Sequence, residues 1–153
     1  MKSFKILAAL AVATTLALSG CQRAEAATLP LDTTLGYVHN SVVDKEGVGL
    51  NVGTEVNKFR LGVTSFTSSE RLESVGAYAG VPIYVQGTRL AVVPQVHVKR
   101  YREASETVGG VGLGLEYKLT PTVRLEGSGV FERGFDDSDV KGEVYTVGLT
   151  KTF

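Results

Sequence analysis

From Thr33 onward the chain alternates apolar and polar residues with a period of two, and this repeat restricts the fold more than any other feature of the sequence. Val111, Leu113, Leu115, Tyr117 and Leu119 share one face of a segment whose other face carries Gly112, Gly114, Glu116 and Lys118. The next segment sets Val123, Leu125, Gly127, Gly129 and Phe131 against Arg124, Glu126, Ser128 and Val130. Thr120-Pro121-Thr122 separates the two, and proline cannot feed a β-ladder. Upstream, Leu90 to Val98, Phe59 to Ser65 and Val48 to Thr54 behave alike, as does Tyr145 to Phe153 at the end. Residues 34–43 and 72–85 alternate less cleanly, the latter around Pro82. The reading is eight strands, at 34–43, 47–54, 58–67, 72–85, 88–101, 108–119, 122–133 and 140–153.

No helical period or long linker interrupts these segments, so they are expected to form an antiparallel meander. Eight strands close into a barrel whose interior the side chains just fill. The connections at one end are Asp44–Glu46, Ser68–Arg71, Arg102–Thr107 and Gly134–Asp139. Those at the other end, Glu55–Asn57, Gln86–Gly87 and Pro121, are generally shorter and less charged. Long outer loops and short inner turns are the asymmetry of outer-membrane barrels.

Residues 1–20 read as an export signal. Lys2 and Lys5 precede an apolar stretch from Ile6 to Leu18 that is too short to span a bilayer as a helix. Leu18-Ser19-Gly20-Cys21 resembles a lipoprotein lipobox, which would place an acyl chain on Cys21, the sole cysteine. Ala24-Glu25-Ala26 offers an alternative cleavage site after Ala26. Residues 21–32 then form an N-terminal segment and 33–153 the barrel domain. Loss of Lys2 and Lys5 turns a neutral chain slightly acidic, which argues against nucleic acid as a partner.

Alternation alone does not say which face is wet. A lipocalin-like, lipid-anchored carrier would turn its apolar face inward around a ligand, but the chain has no Trp and lacks the Gly-x-Trp motif of that class. A membrane barrel turns the apolar face to lipid, where Arg or Lys at the midplane costs roughly 2–4 kcal/mol. The apolar faces between Val48 and Phe131 carry no charge. The opposite face is rich in Gly, Ser and Thr and carries both signs. Glu55, Arg60, Arg89, Lys99, Glu116, Lys118, Arg124 and Glu126 are expected to neutralise one another as a charge network in the lumen. Aromatic residues fall near strand ends. Phe59, Tyr84, Tyr117 and Phe153 are placed at the lower rim, and Phe66, Tyr101, Phe131, Phe135 and Tyr145 at the upper, as in interfacial belts.

The ending Tyr145 to Phe153 (YTVGLTKTF) resembles the C-terminal signal of outer-membrane proteins, with Tyr145, Val147, Leu149 and Phe153 as its pattern residues and Lys151 as a departure. Gly110 to Glu126 (GVGLGLEYKLTPTVRLE) is similar to the seventh-strand region of opacity-type and OmpA-like barrels. The resemblance implies an all-β, eight-stranded antiparallel up-and-down transmembrane β-barrel in the outer membrane of a Gram-negative bacterium. It also implies delivery by the barrel-assembly machinery, contact with outer-membrane lipids and lipopolysaccharide, and a monomeric state. The expected role is structural or surface-interactive (envelope integrity, adhesion), with a packed lumen, no wide pore and no cofactor.

One spacing suggests chemistry. His39 and Ser41 would share a strand face, and an H-x-S pair resembles the site of outer-membrane lipid A deacylases, with Glu46 or Glu55 as orienting acid. His97 is read as a member of a polar network. Asp136, Asp137 and Asp139 form an acidic loop more in keeping with solvation than with Ca²⁺. No metal site is expected.

Overall fold

In the computed structural model, residues 29–69, 71–136 and 139–153 are described. The export signal, Cys21, the Ala26 site and Asp137 lie outside them. Strands run β1 (Leu31–Asn40), β2 (Lys45–Val56), β3 (Phe59–Ser68), β4 (Arg71–Gly80), β5 (Ile83–Tyr84), β6 (Leu90–Tyr101), β7 (Thr107–Lys118), β8 (Val123–Gly134) and β9 (Lys141–Thr152). Each long strand pairs antiparallel with the next long strand, β4 with β6 across the short β5, which pairs with β6 alone, and β1 pairs with β9. The sheet is therefore closed. Closure leaves no row of unpaired backbone groups, the condition a bilayer imposes on strands.

The short β5 is not a ninth stave. Its pairing with β6, Ile83 to Val92 and Tyr84 to Ala91, continues the register set by Gly80 and Gln95. The Val81 amide donates to the Pro94 carbonyl at 3.0 Å on the way. Pro82 lacks an N–H and breaks the ladder for one step, so β4 and β5 form one stave split by a proline. The barrel has eight staves, as the alternation implies.

The outward face is apolar. Leu35, Val111, Leu113, Leu115 and Val147 are each about 60% exposed. In mid-wall this face has no charge; on the outward positions charge appears only at the rims, at Glu46, Arg100, Arg133, Lys141 and Glu143 above and Lys151 below. Lys151 lays its ammonium 4.8 Å from the Phe153 ring centroid, a snorkelling arrangement. Inside lie Asp32, Arg60, Glu73, Lys99, Glu116 and Glu132, all buried. The oily interior of a soluble carrier is therefore excluded.

Three details depart from the sequence reading. β1 starts at Leu31 and ends at Asn40, and Ser41–Asp44 form a turn with Asp44 at φ 51°. β4 carries a bulge: Phe66 pairs with Ser74 but Thr67 with Leu72, so Glu73 is the extra residue and enters the lumen next to Ser74. Phe66 and Tyr101, expected in the upper belt, point inward and are buried. The outward ring at that end consists of Tyr37, Phe131, Phe135 and Tyr145.

Two glycines face each other where β1 meets β9, Gly36 pairing with Gly148. A Cβ on Gly148 would stand 2.6 Å from the Leu35 carbonyl oxygen and 2.7 Å from the Gly36 Cα. The two backbones can approach this closely only without side chains. Gly148→Val is expected to destabilise the barrel by about 1–3 kcal/mol through forced strand separation. Gly127→Ala should be near neutral, because its Cβ would meet nothing nearer than 3.8 Å. Urea titrations of the folded band in unboiled gels would compare the two.

Candidate functional site: the ionic lumen

Two arginines organise the lower half of the lumen. Arg60 on β3 directs both terminal nitrogens at Glu116 on β7, with Nη2 donating to Oε2 at 3.3 Å. The same guanidinium lies 3.5 Å from Glu55, 3.8 Å from Asp32 and 3.9 Å from Glu126. Arg124 on β8 donates through Nη2 to Asp32 Oδ2 at 2.7 Å and through Nη1 to Thr152 at 3.1 Å. Its Nε is 3.5 Å from Glu126 and 3.6 Å from Glu116. Thr152 donates to Asp32 at 2.6 Å, and Thr34 joins Thr150 at 2.6 Å and donates to Glu126 at 3.2 Å. The cluster ties β1, β2, β3, β7, β8 and β9 across the bore. Two planar guanidinium groups hold four carboxylates because each offers five donors in a fixed fork.

A second cluster crosses the upper half. Lys99 donates to Glu132 at 2.6 Å, Tyr101 donates to the other oxygen of Glu132 at 2.6 Å, and Asn40 Nδ2 donates to the Tyr101 hydroxyl at 2.7 Å. Glu132 and Tyr101 are fully buried. A third contact closes the rim, where Lys45 sits between Glu73 (3.0 Å) and Glu103. The β4 bulge is what delivers Glu73 to it.

Between the clusters lies a cavity of about 60 Å³ with a mixed lining, in which Thr34, Asn51, Gln95 and His97 share the wall with an apolar group of Val38, Phe66 and Val144. It has room for a few waters and for nothing larger. His97 stacks against Tyr78 with ring centroids 5.9 Å apart. Both its ring nitrogens, and Nε2 of Gln95, are buried without a protein partner and suit such water. The bore is thus obstructed at two levels.

The expected network is distributed as follows. Glu55, Arg60, Glu116, Arg124 and Glu126 come together below, and Lys99 belongs to the upper cluster. Arg89 instead falls in the exposed Val85–Arg89 turn, outside β6. Lys118 is exposed at the lower rim, 4.7 Å from the Tyr84 ring centroid. Sequence reasoning omitted Asp32 and Glu73 from the network. Asp32 lay before the assumed start of β1, and the bulge hid Glu73. Glu132, which counting in twos places on the polar face of β8 with Glu116 and Glu126, joins the upper cluster. Tyr145, Val147 and Leu149 face outward on β9, and Phe153 N donates to Leu31 O at 3.0 Å just beyond it.

His39 and Ser41 bond to other groups, and of the contacts expected there only that of His39 with Glu46 forms. His39 points outward and its Nδ1 lies 3.2 Å from Glu46. Ser41 is in the turn after β1, where its hydroxyl donates to the Glu143 carbonyl at 3.0 Å and accepts from the Glu143 amide at 2.7 Å. The hydroxyl is a strut between β1 and β9. Asp136 uses its backbone amide on Glu106 at 2.9 Å, and among the described residues no group of three or more His, Cys, Asp or Glu side chains could hold a metal.

No protein-family profile and no curated protein matches the chain. Solved structures do share the fold. The N-terminal β-barrel domain of Pseudomonas aeruginosa OprF is 12% identical, with 81% of this chain and 97% of that one covered at a TM-score of 0.62. A de novo designed transmembrane β-barrel is 14% identical over 85% of this chain and all of that one, at 0.60. The Yersinia pestis outer-membrane protein Ail in a lipid nanodisc is 13% identical over 82% and 99%, at 0.54. The fold is that of small transmembrane β-barrels.

Arg60→Met should destabilise the barrel by roughly 3–5 kcal/mol, because it strands buried carboxylates. Arg89→Met should change little. Adding Glu116→Gln to Arg60→Met should recover part of the loss, and urea midpoints of the parent, Arg60→Met, Glu116→Gln and the double variant measure the coupling. At the rim, the hydrogen bond from Lys45, helped by its charge, holds the Glu103 carboxyl below the usual carboxylate range. A lowered folded-state value stabilises above the ordinary carboxylate pKa and is lost as pH falls through the lowered one. The protection factor of the Arg102 amide, which donates to the Glu73 carbonyl at 2.8 Å, should therefore be highest at neutral pH, fall as pH drops below about 4, and be low throughout in Lys45→Met.

Proposed function

We propose that this chain is a small integral outer-membrane protein of a Gram-negative bacterium, with a structural or surface-contact role and no open pore. One observation carries the reading. A wall with an uncharged apolar waist encloses buried Asp32, Arg60, Glu116 and Glu132, an arrangement that suits hydrocarbon outside and fails in water. The upper connections, Ser41–Asp44, Ser69–Glu70, Arg102–Glu106 and Phe135–Val140, are short. They favour contact through the rim over capture of a large receptor. Two ionic layers separated by a 60 Å³ cavity support a closed bore over a solute path. The outward Tyr145, Val147, Leu149 and Phe153 support recognition by the barrel-assembly machinery as this strand is laid down. Envelope integrity and adhesion are the roles that fit such a molecule, acting as a monomer.

Fractionated membranes run on gels with and without boiling test this. The folded protein should stay in the membrane pellet through a salt wash and shift in mobility on heating. Release by salt with no heat shift would overturn the reading.

A further inference from the structure

The upper outer rim is not uniform around the barrel. Over β1 and β2 it presents His39 and Glu46; over β6 to β9 it presents Arg100, Arg133 and Lys141, all three exposed. Arg100 pairs with Thr107; two residues further along β7, Gly109 pairs with Arg133, which pairs with Lys141. With neighbouring strands about 4.8 Å apart, the three cations span a strip roughly 15 Å wide. Arg100 is steadied by donating to the Thr107 hydroxyl at 3.0 Å.

An aromatic ring fills the middle of this strip. The Phe135 amide donates to the Thr107 carbonyl at 3.0 Å, folding the loop after β8 back onto the wall. Its ring then lies against Gly109, where a Cβ would stand only 2.7 Å from Phe135 Cζ. The glycine leaves a seat, and the ring on it is still 65% exposed. Directly below, the outward positions become apolar at Val98, Val111 and Phe131. Of the carboxylates around it, Glu143 accepts the Tyr145 hydroxyl at 2.5 Å, and Asp136 and Asp139 belong to the loop that carries Phe135.

Guanidinium and ammonium groups flanking a flat ring, immediately above an acyl-compatible wall, match one kind of molecule. Phosphates would meet the cations, a sugar ring would stack on Phe135 and hydrocarbon would run down β6–β8. We infer that this side of the rim is the seat of one phosphorylated glycolipid of the outer leaflet, held by Arg100, Arg133, Lys141 and Phe135. The inference rests on the membrane orientation given above.

The test uses the full chain folded in phosphatidylcholine nanodiscs doped with bisphosphorylated lipid A or with lipid A stripped of its phosphates. Native mass spectrometry after mild detergent release counts retained lipid. The unaltered protein should keep one phosphorylated lipid A, with about ten-fold preference over the stripped form, as expected for charge-assisted hydrogen bonds. Arg100→Gln/Arg133→Gln/Lys141→Gln should lose that preference. Gly109→Ala, which keeps every charge but displaces the ring, should weaken retention several-fold. Lys58→Gln/Arg89→Gln, which removes lower-rim cations, should change nothing. Equal retention of both lipids, or a triple variant that behaves like the parent, would overturn the seat. Heat-shift gels on each sample separate the failures: a shifting barrel without lipid preference sinks this inference alone, whereas a parent protein that never shifts sinks the membrane reading.

Discussion

Closure of the hydrogen-bonded ladder is the constraint on which the other features depend. A bilayer offers no partner to an unpaired amide or carbonyl, so the strand row must return on itself. The pairing of the first strand with the last, β1 with β9 from Asp32–Thr152 to Asn40–Val144, is where it does so. Period-two alternation then divides every strand between lipid and lumen, and an eight-stave tube has a lumen only as wide as its side chains. Large residues can enter only where others give way. The Tyr78 hydroxyl occupies the space a Cβ on Gly53 would need, and its ring crosses the corresponding place at Gly62. The glycines of the inner face make room for the aromatic and guanidinium groups opposite.

Within that narrow bore the charges are layered. The Arg60–Arg124 layer joins strands far apart in sequence; Arg60 and Glu116, for example, are separated by 56 positions. The Lys99–Glu132–Tyr101 layer sits above it, and the Lys45 contacts close the rim. The lower layer sets two guanidinium groups among four carboxylates and the upper one gives Glu132 two donors, whereas at the rim Glu73 meets Lys45 through one oxygen and buries the other without a partner. Burying such groups is costly in itself, and only multiple hydrogen bonds to each offset the desolvation. The cavity with His97 and Gln95 lies where the layers do not reach.

Much of this is legible in the chain because alternation is a local property. Which residues face lipid on β6 to β9, and that Arg60, Lys99, Glu116, Arg124 and Glu126 face inward, follows from counting in twos. Three things do not follow. The extra residue in β4 inverts the phase for one position, and nothing in Arg71–Ser74 marks it, so Glu73 was hidden. The first strand begins three residues before the reading placed it, because Leu31-Asp32-Thr33 lacks a turn signal to show its start; Asp32 was lost with it. Phe66 and Tyr101 sit near strand ends, as belt aromatics do, but their parity assigns them to the lumen, and parity prevails over position. Pairing across the bore is set by stagger and curvature, which alternation does not encode.

The lumen ions therefore act on specificity more than on net stability. A buried ion pair is weak evidence for stabilisation, since apolar replacements of similar volume often do as well. Its effect on alternatives is larger. A one-residue slip in any stave would turn its whole inner face outward. For β3 that turns Arg60 toward lipid, for β6 Lys99 and for β8 Arg124, each within two residues of a strand end, where the cost of a cation falls from roughly 2–4 kcal/mol at the midplane toward about 0–1 kcal/mol at the interface. The same slip would drive Leu61, Val98 or Leu125 into a polar bore. Apolar residues on both faces would tolerate several registers in hydrocarbon, whereas charges confined to one face tolerate one. The ionic lumen is best understood as the feature that makes this register unique, and the obstruction of the bore follows from it.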